Sequence, residues 1–391
     1  MNTEDLKSLI KSEFETINAE DTISKLVPLL EKFSKPHAIL VEEDGKIVGV
    51  VRERDLIRSS AIKNPEETKV KSTMIRTGIL SIEDLNPEKV ARRFVEDSTP
   101  FVVVKLGKEY GTIYIDDFLI KLKDDLSGVK VADVMNPEVY TVSAHASTAK
   151  ALATMRNYGV ERLVVVDENN RVIGIITAKD ILDRVIVPRK RARFGDASGE
   201  KERTLAITVE SIMSSPPITV QKTDSISEAI HLMVENNISS LPVTKDGMLE
   251  GILVKKDILE YYMKKVETGK KDFAVQIISS DINIDEFDRN AIMEDVEKLM
   301  RKFSEFLGES YLFVYIKRHK EKFRGLPLIH VRLKLSSSKG NFMVTGESWG
   351  VEYAFHVALR KLEREVLKEK ELMMDKKMLK RFYEEVFEIE E

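Results

Sequence analysis

One segment occurs four times along the first two thirds of this chain, and that repetition limits the possible folds more than any single motif does. Its clearest copy opens at Val134-Met135-Asn136-Pro137, runs through Val139-Tyr140-Thr141-Val142 and continues with helical spacing from Ser147 to Tyr158. Arg162 to Val166 reads as a strand, Asp167-Glu168-Asn169-Asn170 as a polar turn and Val172 to Ile176 as a second strand. That strand leads into Thr177-Ala178-Lys179-Asp180 and another helix, so the unit is β-α-β-β-α.

The next copy runs from Ile212-Met213-Ser214-Ser215-Pro216, through a helix from Ile226 to Asn236 and strands from Leu241 to Thr244 and Leu249 to Val254, to Lys255-Lys256-Asp257. Upstream, Gly49-Val50-Val51-Arg52-Glu53-Arg54-Asp55 and Gly111-Thr112-Ile113-Tyr114-Ile115-Asp116-Asp117 occupy the same strand-to-helix corner. Asp55, Asp117 and Asp180 are 62 and 63 residues apart, whereas Asp180 and Asp257 are 77 apart. The excess is Pro188 to Arg203, a polar stretch rich in Arg and Lys that reads as a mobile basic arm. The expected organisation is an N-terminal helix over 1–19, copies over 20–68, 69–128 and 129–187, a basic linker over 188–206 and a fourth copy over 207–268. The first copy lacks the Met-x-Pro opening and the second lacks the corner hydroxyl.

At each corner a strand ends in Gly and apolar residues and a helix begins. Thr177 and Asp180 therefore stand beside free backbone N–H groups suited to phosphate oxygens, and the carboxylate suits vicinal ribose hydroxyls. The same Thr-x-x-Asp is close to an ordinary capping box, which a helix start uses with no ligand present. Over about residues 20 to 265 the chain resembles the cystathionine-β-synthase-type (CBS) domain family, whose repeats pair into Bateman modules that often dimerise and bind adenine nucleotides or related adenosyl ligands. The resemblance implies nucleotide contacts at Val142, Arg162, Thr177 and Asp180 in the third copy, and at Val220, Ser239, Ser240, Pro242 and Asp257 in the fourth. AMP, ADP or ATP is the implied regulatory ligand. Arg52, Tyr114 and Val254 stand where the family places Thr or Ser, so the first module, residues 20 to 125, is expected to be a dimerisation scaffold.

Beyond Lys271 the order changes to a strand from Ala274 to Ser279, a helix from Asp285 to Phe306, strands from Tyr311 to Ile316, Leu328 to Leu335 and Phe342 to Thr345, and a helix from Val351 to Met374. Residues 311 to 381 hold 17 Lys and Arg against 8 Asp and Glu, within a chain of net charge -4, so positive charge is concentrated here. His330, Arg332 and Lys334 alternate with Ile329, Val331, Leu333 and Leu335, which makes one sheet face basic and the other apolar. Lys361, Arg364 and Lys368 fall at helical spacing away from Leu359, Leu362 and Val366. Lys317-Arg318-His319-Lys320-Glu321-Lys322-Phe323-Arg324 reads as a hairpin that adds a protruding basic loop.

This β-α-β-β-β-α order, with Gly346-Glu347-Ser348-Trp349 entering a basic helix that holds Ala354 and Lys361-Leu362, resembles the ribosome hibernation-promoting factor and ribosome-associated inhibitor family over about residues 273 to 371. That family has a double-stranded-RNA-binding-like fold and occupies the decoding channel of the small ribosomal subunit, blocking messenger and transfer RNA. The resemblance implies rRNA contacts at Lys317, Arg318, Lys320, Lys322, Arg324, Arg332, Lys334, Lys361, Arg364 and Lys368. His356 stands where the family usually has an acid. With no aromatic stacking platform evident, shape and phosphate contacts are expected to dominate. Residues 372–391 form a charged tail that ends acidic and reads as a solvated terminal helix rather than a shield for the basic surface.

The overall class is thus α/β (α+β), with four β-α-β-β-α repeats in two modules followed by an RNA-binding-like domain. The chain has no Cys, which removes disulfides, thiolate metal sites and cysteine nucleophiles and suits a reducing cytoplasm. Charges at Glu4, Asp5, Lys7, Lys11 and Glu13 interrupt any signal-peptide core, and no later stretch approaches 18 uncharged apolar residues, so no membrane contact is expected. Abundant Lys, Glu and Arg resemble thermophile composition and fit an archaeal-type factor. Six scattered His, no Gly-rich phosphate loop and no nucleophile-base pair argue against an enzyme. Two functions remain: a nucleotide-regulated ribosome dormancy factor that homodimerises through its CBS modules, or a nucleotide-sensing regulator of a partner protein with the last domain as a docking platform.

Overall fold

The computed structural model describes residues 1–31, 37–52, 65–158, 160–181, 207–268, 273–280, 284, 286–323, 326–337 and 339–387. Asp55, Arg324 and the basic arm over 188–203 lie outside these residues. The chain divides into two compact units, Met1–Tyr262 and Met263–Glu391.

In the first unit the copies share one topology. The first contains α1 (Thr3–Ser8), β1 (Glu15–Asn18), α2 (Ile23–Glu31), β2 (Ile39–Glu43) and β3 (Lys46–Val50), and the second β4 (Leu80–Ser81), α3 (Pro87–Asp97), β5 (Phe101–Leu106), β6 (Glu109–Tyr114) and α4 (Ile115–Leu122). The third contains α5 (Val131–Val134), β7 (Thr141–Ser143), α6 (Thr148–Tyr158), β8 (Arg162–Val166), β9 (Val172–Thr177) and α7 (Ala178–Ile181). The fourth contains α8 (Ile226–Glu235), β10 (Ser240–Lys245), β11 (Met248–Val254) and α9 (Lys255–Thr268). In the first three sheets the opening strand runs parallel to the second and the second antiparallel to the third; in the fourth, a bridge from Val220 to Val243 replaces the opening strand. Local chemistry sets the helix starts: Asn86 accepts from Lys89 N at 2.8 Å with Pro87 at the first turn, and Ser225 accepts from Glu228 N at 3.1 Å.

The copies pair by exchanging their opening segments. Ile75 of the second copy bridges to Val50 of the first, and Lys11 of the first bridges to Thr112 of the second. Ser214 likewise bridges to Ile175, and Asn136 to Ile252, so copies one and two form one module and three and four the other. The corner glycines permit the exchange: a Cβ at Gly49 would lie 2.4 Å from the Ile75 carbonyl oxygen, and one at Gly251 2.9 Å from that of Asn136. Lys11 occupies the place that Asn136 holds in the third copy. The expected separate N-terminal helix is therefore the opening of the first copy, present without its Met-x-Pro residues. Ala38, Leu40, Val50, Ile75, Phe101 and Val103 form the core shared between copies one and two.

The second unit contains β12 (Phe273–Ser280), α10 (Glu286–Leu307), β13 (Ser310–Phe323), β14 (Leu326–Ser337), β15 (Gly340–Trp349) and α11 (Val351–Phe387). The sheet order is β12-β13-β14-β15, with β12 and β13 parallel and the other pairs antiparallel. Leu312, Val314, Val331, Leu333 and Val344 meet Val296, Phe303, Phe355, Leu362 and Val366 in one core between the sheet and both helices. Helix α11 lies almost on the backbone of β15, since a Cβ at Gly346 would fall 2.5 Å from Ala358 N and 2.6 Å from the Ala354 carbonyl oxygen.

One expectation changes here. The stretch expected to protrude as a basic loop is strand as far as Phe323, with its register shifting between Arg318 and Lys322 and Lys322 pairing with Pro327. The stretch from 372, expected as a solvated terminal helix, is helical and continues α11 to Phe387. Among the described residues no helix is long and apolar enough to cross a membrane, and no group of three or more His, Cys, Asp or Glu could hold a metal ion.

Candidate functional sites

In the second module, Arg162 and Thr177 are cross-strand partners on β8 and β9, and Ser240 and Val254 hold the matching places on β10 and β11. Asp180 Oδ2 accepts from Thr177 N at 2.8 Å and from its hydroxyl at 2.7 Å, while Asp180 N donates to Thr177 Oγ1 at 3.1 Å. This reciprocal pair is a working helix cap, and it leaves Asp180 Oδ1 as the carboxylate atom outside the capping bonds. In the fourth copy Asp257 Oδ2 accepts from Val254 N at 3.2 Å, Val254 standing where the third copy has Thr177.

Arg162 is the outlier of this region. Its side chain is only 15% exposed, its Nη2 lies 3.9 Å from Glu161 Oε2, and Nε is buried without a hydrogen-bond partner. Burial pushes the guanidinium down to about 10, opposed by the charge of Asp257 from the fourth copy. Lys255, 7% exposed at the first turn of α9, forms an ion pair with Asp116 of the second copy. Burial pushes the Lys255 ammonium down and Asp116 opposes that shift. Charged groups from three copies thus converge on one buried spot.

Of the other expected residues, Thr177 adjoins that spot as the cross-strand partner of Arg162 and Ser239 through Lys255. Ser240 and Pro242 are buried and Ser239 is exposed, its carbonyl accepting from Lys255 N at 3.1 Å. Val142 and Val220 are buried beside the strands. Val142 lines a cleft of about 270 Å3 with Thr141, Lys150, Thr154, Asp167 and Glu168, which lies toward the far end of β8 from Arg162. Sequence reasoning passed over Lys255 and Asp116. The available signal was a charged residue at the place that Ala178 holds in the third copy.

The corner of the second copy is occupied by the protein's own side chains. Tyr114 OH accepts from Ala38 N at 3.1 Å, its ring packs against Phe101, and Lys11 Nζ sits 2.6 Å from Asp117 Oδ2 and 5.4 Å from the Tyr114 ring centroid. Arg52 donates to the Asp97 carbonyl oxygen at 2.6 Å. The Asp97 carboxyl contacts Thr77 and Arg93, yet burial holds it above the usual carboxylate range. Tyr114 and Arg52, two of the departures from the family pattern, thus each bond within the first module.

In the second unit the alternation along β14 appears as expected, with Ile329, Val331, Leu333 and Leu335 buried and His330, Arg332 and Lys334 half-buried on the other face. Lys317 shares that face as the cross-strand partner of His330. Arg318 pairs with Ile329 and falls on the opposite side. The side chains of Lys320 and Lys322 lie outside the described residues. Lys361, Arg364 and Lys368 are exposed on α11, which packs on the apolar face. The basic residues therefore occupy two layers. They meet at the edge strand, where Lys361 Nζ donates to the Thr345 carbonyl oxygen at 2.8 Å and Thr345 is the cross-strand partner of Arg332.

The expectation that aromatics are absent from this face needs correction. Tyr311, Phe313 and Tyr315 form a row beside Lys334 and Arg332, with ring centroids 4.6 and 5.8 Å apart. Tyr311 and Phe313 are 0% and 2% exposed, so the part of the row that remains accessible is Tyr315. His356 ties the helices together, its Nε2 lying 2.9 Å from Asp295 Oδ2 on α10.

Comparison with known proteins follows the same division. The CBS domain model matches residues 6–62, 131–187 and 209–264, and the model described as hibernation factor Hib, C-terminal domain, matches residues 274–385. The chain belongs to the CBS-domain proteins and ends in a hibernation-factor Hib C-terminal domain. The second copy lies outside the matched spans, yet it keeps the strand order and segment exchange of its neighbours. The uncharacterized protein MJ1404 of Methanocaldococcus jannaschii is 28% identical over 300 residues, which cover 72% of this chain and 70% of the relative. MK0525 of Methanopyrus kandleri is 30% identical over 156 residues, 39% of this chain and 74% of that protein. The crystal structure of MJ1225 from Methanocaldococcus jannaschii, proposed to be an archaeal homolog of g-AMPK, aligns over 66% of this chain and 99% of its own length with a TM-score of 0.55. At 21% identity that likeness concerns the fold of the four-copy unit.

Proposed function

We propose that this CBS-Hib protein is a ribosome dormancy factor of the cytoplasm. Its C-terminal unit binds rRNA of the small ribosomal subunit, and an adenine nucleotide bound by the third and fourth copies governs that contact. Homodimerisation through the CBS modules would allow two small subunits to be joined. The observation that carries the reading is the edge of β15, where Arg332 on the sheet and Lys361 on α11 flank Thr345 and turn two basic layers into one rim. Phosphates on both walls of an rRNA groove suit such a rim, and contacts of that kind need no base reading. The nucleotide part rests on the Thr177-Asp180 corner and on the buried Arg162, whose unpaired Nε suits an anion. In the test, protein is added to small subunits carrying a labelled messenger. The reading expects stoichiometric release of messenger, and retention of the messenger at saturating protein contradicts it.

A further inference from the structure

Helix α11 is longer than the core it packs on. Val366 is its last buried residue among the described side chains, yet the helix continues to Phe387, roughly 30 Å further at about 1.5 Å per residue. Apolar residues continue past Val366, where Leu367, Leu372 and Met374 are 42%, 45% and 58% exposed. These are three of the nine large apolar residues exposed among the described ones, gathered within one short stretch, so they form a patch rather than scattered surface residues. In the sequence, Leu372, Leu379, Phe382 and Val386 recur at steps of 7, 3 and 4, the spacing of one stripe on a helix, and Met374 and Met378 adjoin that stripe. Helix held only by propensity is marginal in water, and packing of an apolar face is what stabilises it. We infer that the stripe from Leu372 to Val386 pairs with the same stripe of a second copy of this chain, the two helices running antiparallel.

Charge selects both the occupant and the orientation. Lys376, Lys377, Lys380 and Arg381 form a basic block, Glu384, Glu385 and Glu388 an acidic one, and Phe382 and Tyr383 separate them. Two copies aligned antiparallel about Phe382 and Tyr383 bring Arg381 of one level with Glu384 of the other, Lys380 with Glu385 and Lys377 with Glu388, and they do so twice. The apolar residues match about the same centre, Leu379 with Val386 and Met378 with Phe387. A parallel pair would set each block against its like, which is repulsive. One helix therefore carries both halves of its own complement. Exposed ion pairs add little affinity, so the apolar stripe holds the two copies together and the charges fix their direction. The paired stretch begins beyond Lys361, Arg364 and Lys368, which stay exposed on the part of α11 that packs on the sheet. This contact is separate from dimerisation through the CBS modules and requires no nucleotide.

The experiment is disulfide cross-linking of the full-length protein. The chain has no Cys, so a single introduced thiol can link only to its counterpart in a second copy. Tyr383→Cys puts that thiol at the centre of the antiparallel pair, whereas Leu372→Cys puts it near one end, roughly 30 Å from its counterpart at about 1.5 Å per residue. Under mild oxidation Tyr383→Cys is expected to form covalent dimer at least about tenfold faster than Leu372→Cys, because only its thiols are held at high effective concentration. Equal rates at the two positions indicate a parallel pair or contact through the CBS modules alone, and absence of linkage at both leaves the helix on its own chain or in solvent; each of these results overturns the inference. The charges are tested in the Tyr383→Cys background by Lys380→Glu with Arg381→Glu, and separately by Glu384→Lys with Glu385→Lys. Each double reversal is expected to slow linkage by roughly tenfold, and mixing the two proteins is expected to restore it between them, since an acidic stripe then meets a basic one. All four residues lie past the last buried position of α11, so the core of the unit is untouched. Linkage that ignores the reversals, or a mixture no faster than its components, likewise overturns the inference.

Discussion

Substituting Gly346 with Ala tests the C-terminal unit without touching any charge. The added methyl carbon would lie 2.5 Å from Ala358 N, 2.6 Å from the Ala354 carbonyl oxygen and 2.9 Å from Ala358 Cβ. Two of these atoms are helix backbone, so no rotamer change relieves the contact, and α11 must withdraw from β15 by nearly 1 Å to reach ordinary separation. Withdrawal loosens Phe355, Leu362 and Val366, which are fully buried against the sheet. Overpacking of this kind costs roughly 3 kcal/mol, on the order of a 10 °C fall in Tm for a unit of this size. The chain has one tryptophan, Trp349, and it ends β15 three residues beyond the substitution, so its fluorescence reports this unit alone. Urea titration followed by Trp349 fluorescence should show a lower midpoint with an unchanged slope. A loss below about 0.5 kcal/mol, the range of an inert surface change, refutes the described contact between α11 and β15.

Four further outcomes follow from the same geometry. Asp180→Ala removes the acceptor of both Thr177 bonds, so it should cost about 1 kcal/mol and abolish the AMP-induced rise in melting temperature; a full thermal shift in the variant contradicts the site. Tyr114→Phe leaves Ala38 N–H without its acceptor, and urea unfolding should register about 1 to 2 kcal/mol, whereas no loss means that the tyrosine does not close the first module. Asp97 has its carboxyl held high by burial, so its contribution to stability is complete below about pH 3.9 and is lost as pH rises through the folded value. Asp97→Asn keeps a neutral group at every pH and should therefore gain stability relative to wild type between pH 3.5 and 7, as measured by denaturation at the two pH values; a constant difference refutes the assignment. Lys361→Glu with Arg364→Glu removes about two phosphate contacts and should make the log-log salt slope of ribosome binding shallower by roughly 1.5. An unchanged slope moves the interface elsewhere.

Much of the fold was legible because apolar alternation and helical spacing survive in the better copies, and the strand from Arg162 to Val166 was read residue for residue. The opening of the first copy was not, since its Met-x-Pro residues are gone and only the pairing of Lys11 with Thr112 reveals it. Strand β13 was cut short at Ile316 because Lys317 to Phe323 has no apolar alternation, and cross-strand pairing with β14 alone holds its end. The helix from Val351 runs past Met374 to Phe387, as the reading of the charged stretch as a terminal helix allows, with Leu362 and Val366 anchoring its first part on the sheet. Spacing also could not say that Arg332 and Lys361 sit on different layers, because sequence period places a residue on a face of its own element only. The Lys255-Asp116 pair joins residues 139 apart and became visible only in three dimensions.

The central claim is that the rim around β15 binds the small ribosomal subunit. Co-sedimentation of purified full-length protein with small subunits, over a series of salt concentrations, tests it most directly. About five phosphate contacts predict pelleting at low salt and a log-log slope between roughly -3.5 and -4.5. Protein that stays in the supernatant with small subunits at low salt, with and without adenine nucleotide, contradicts the account.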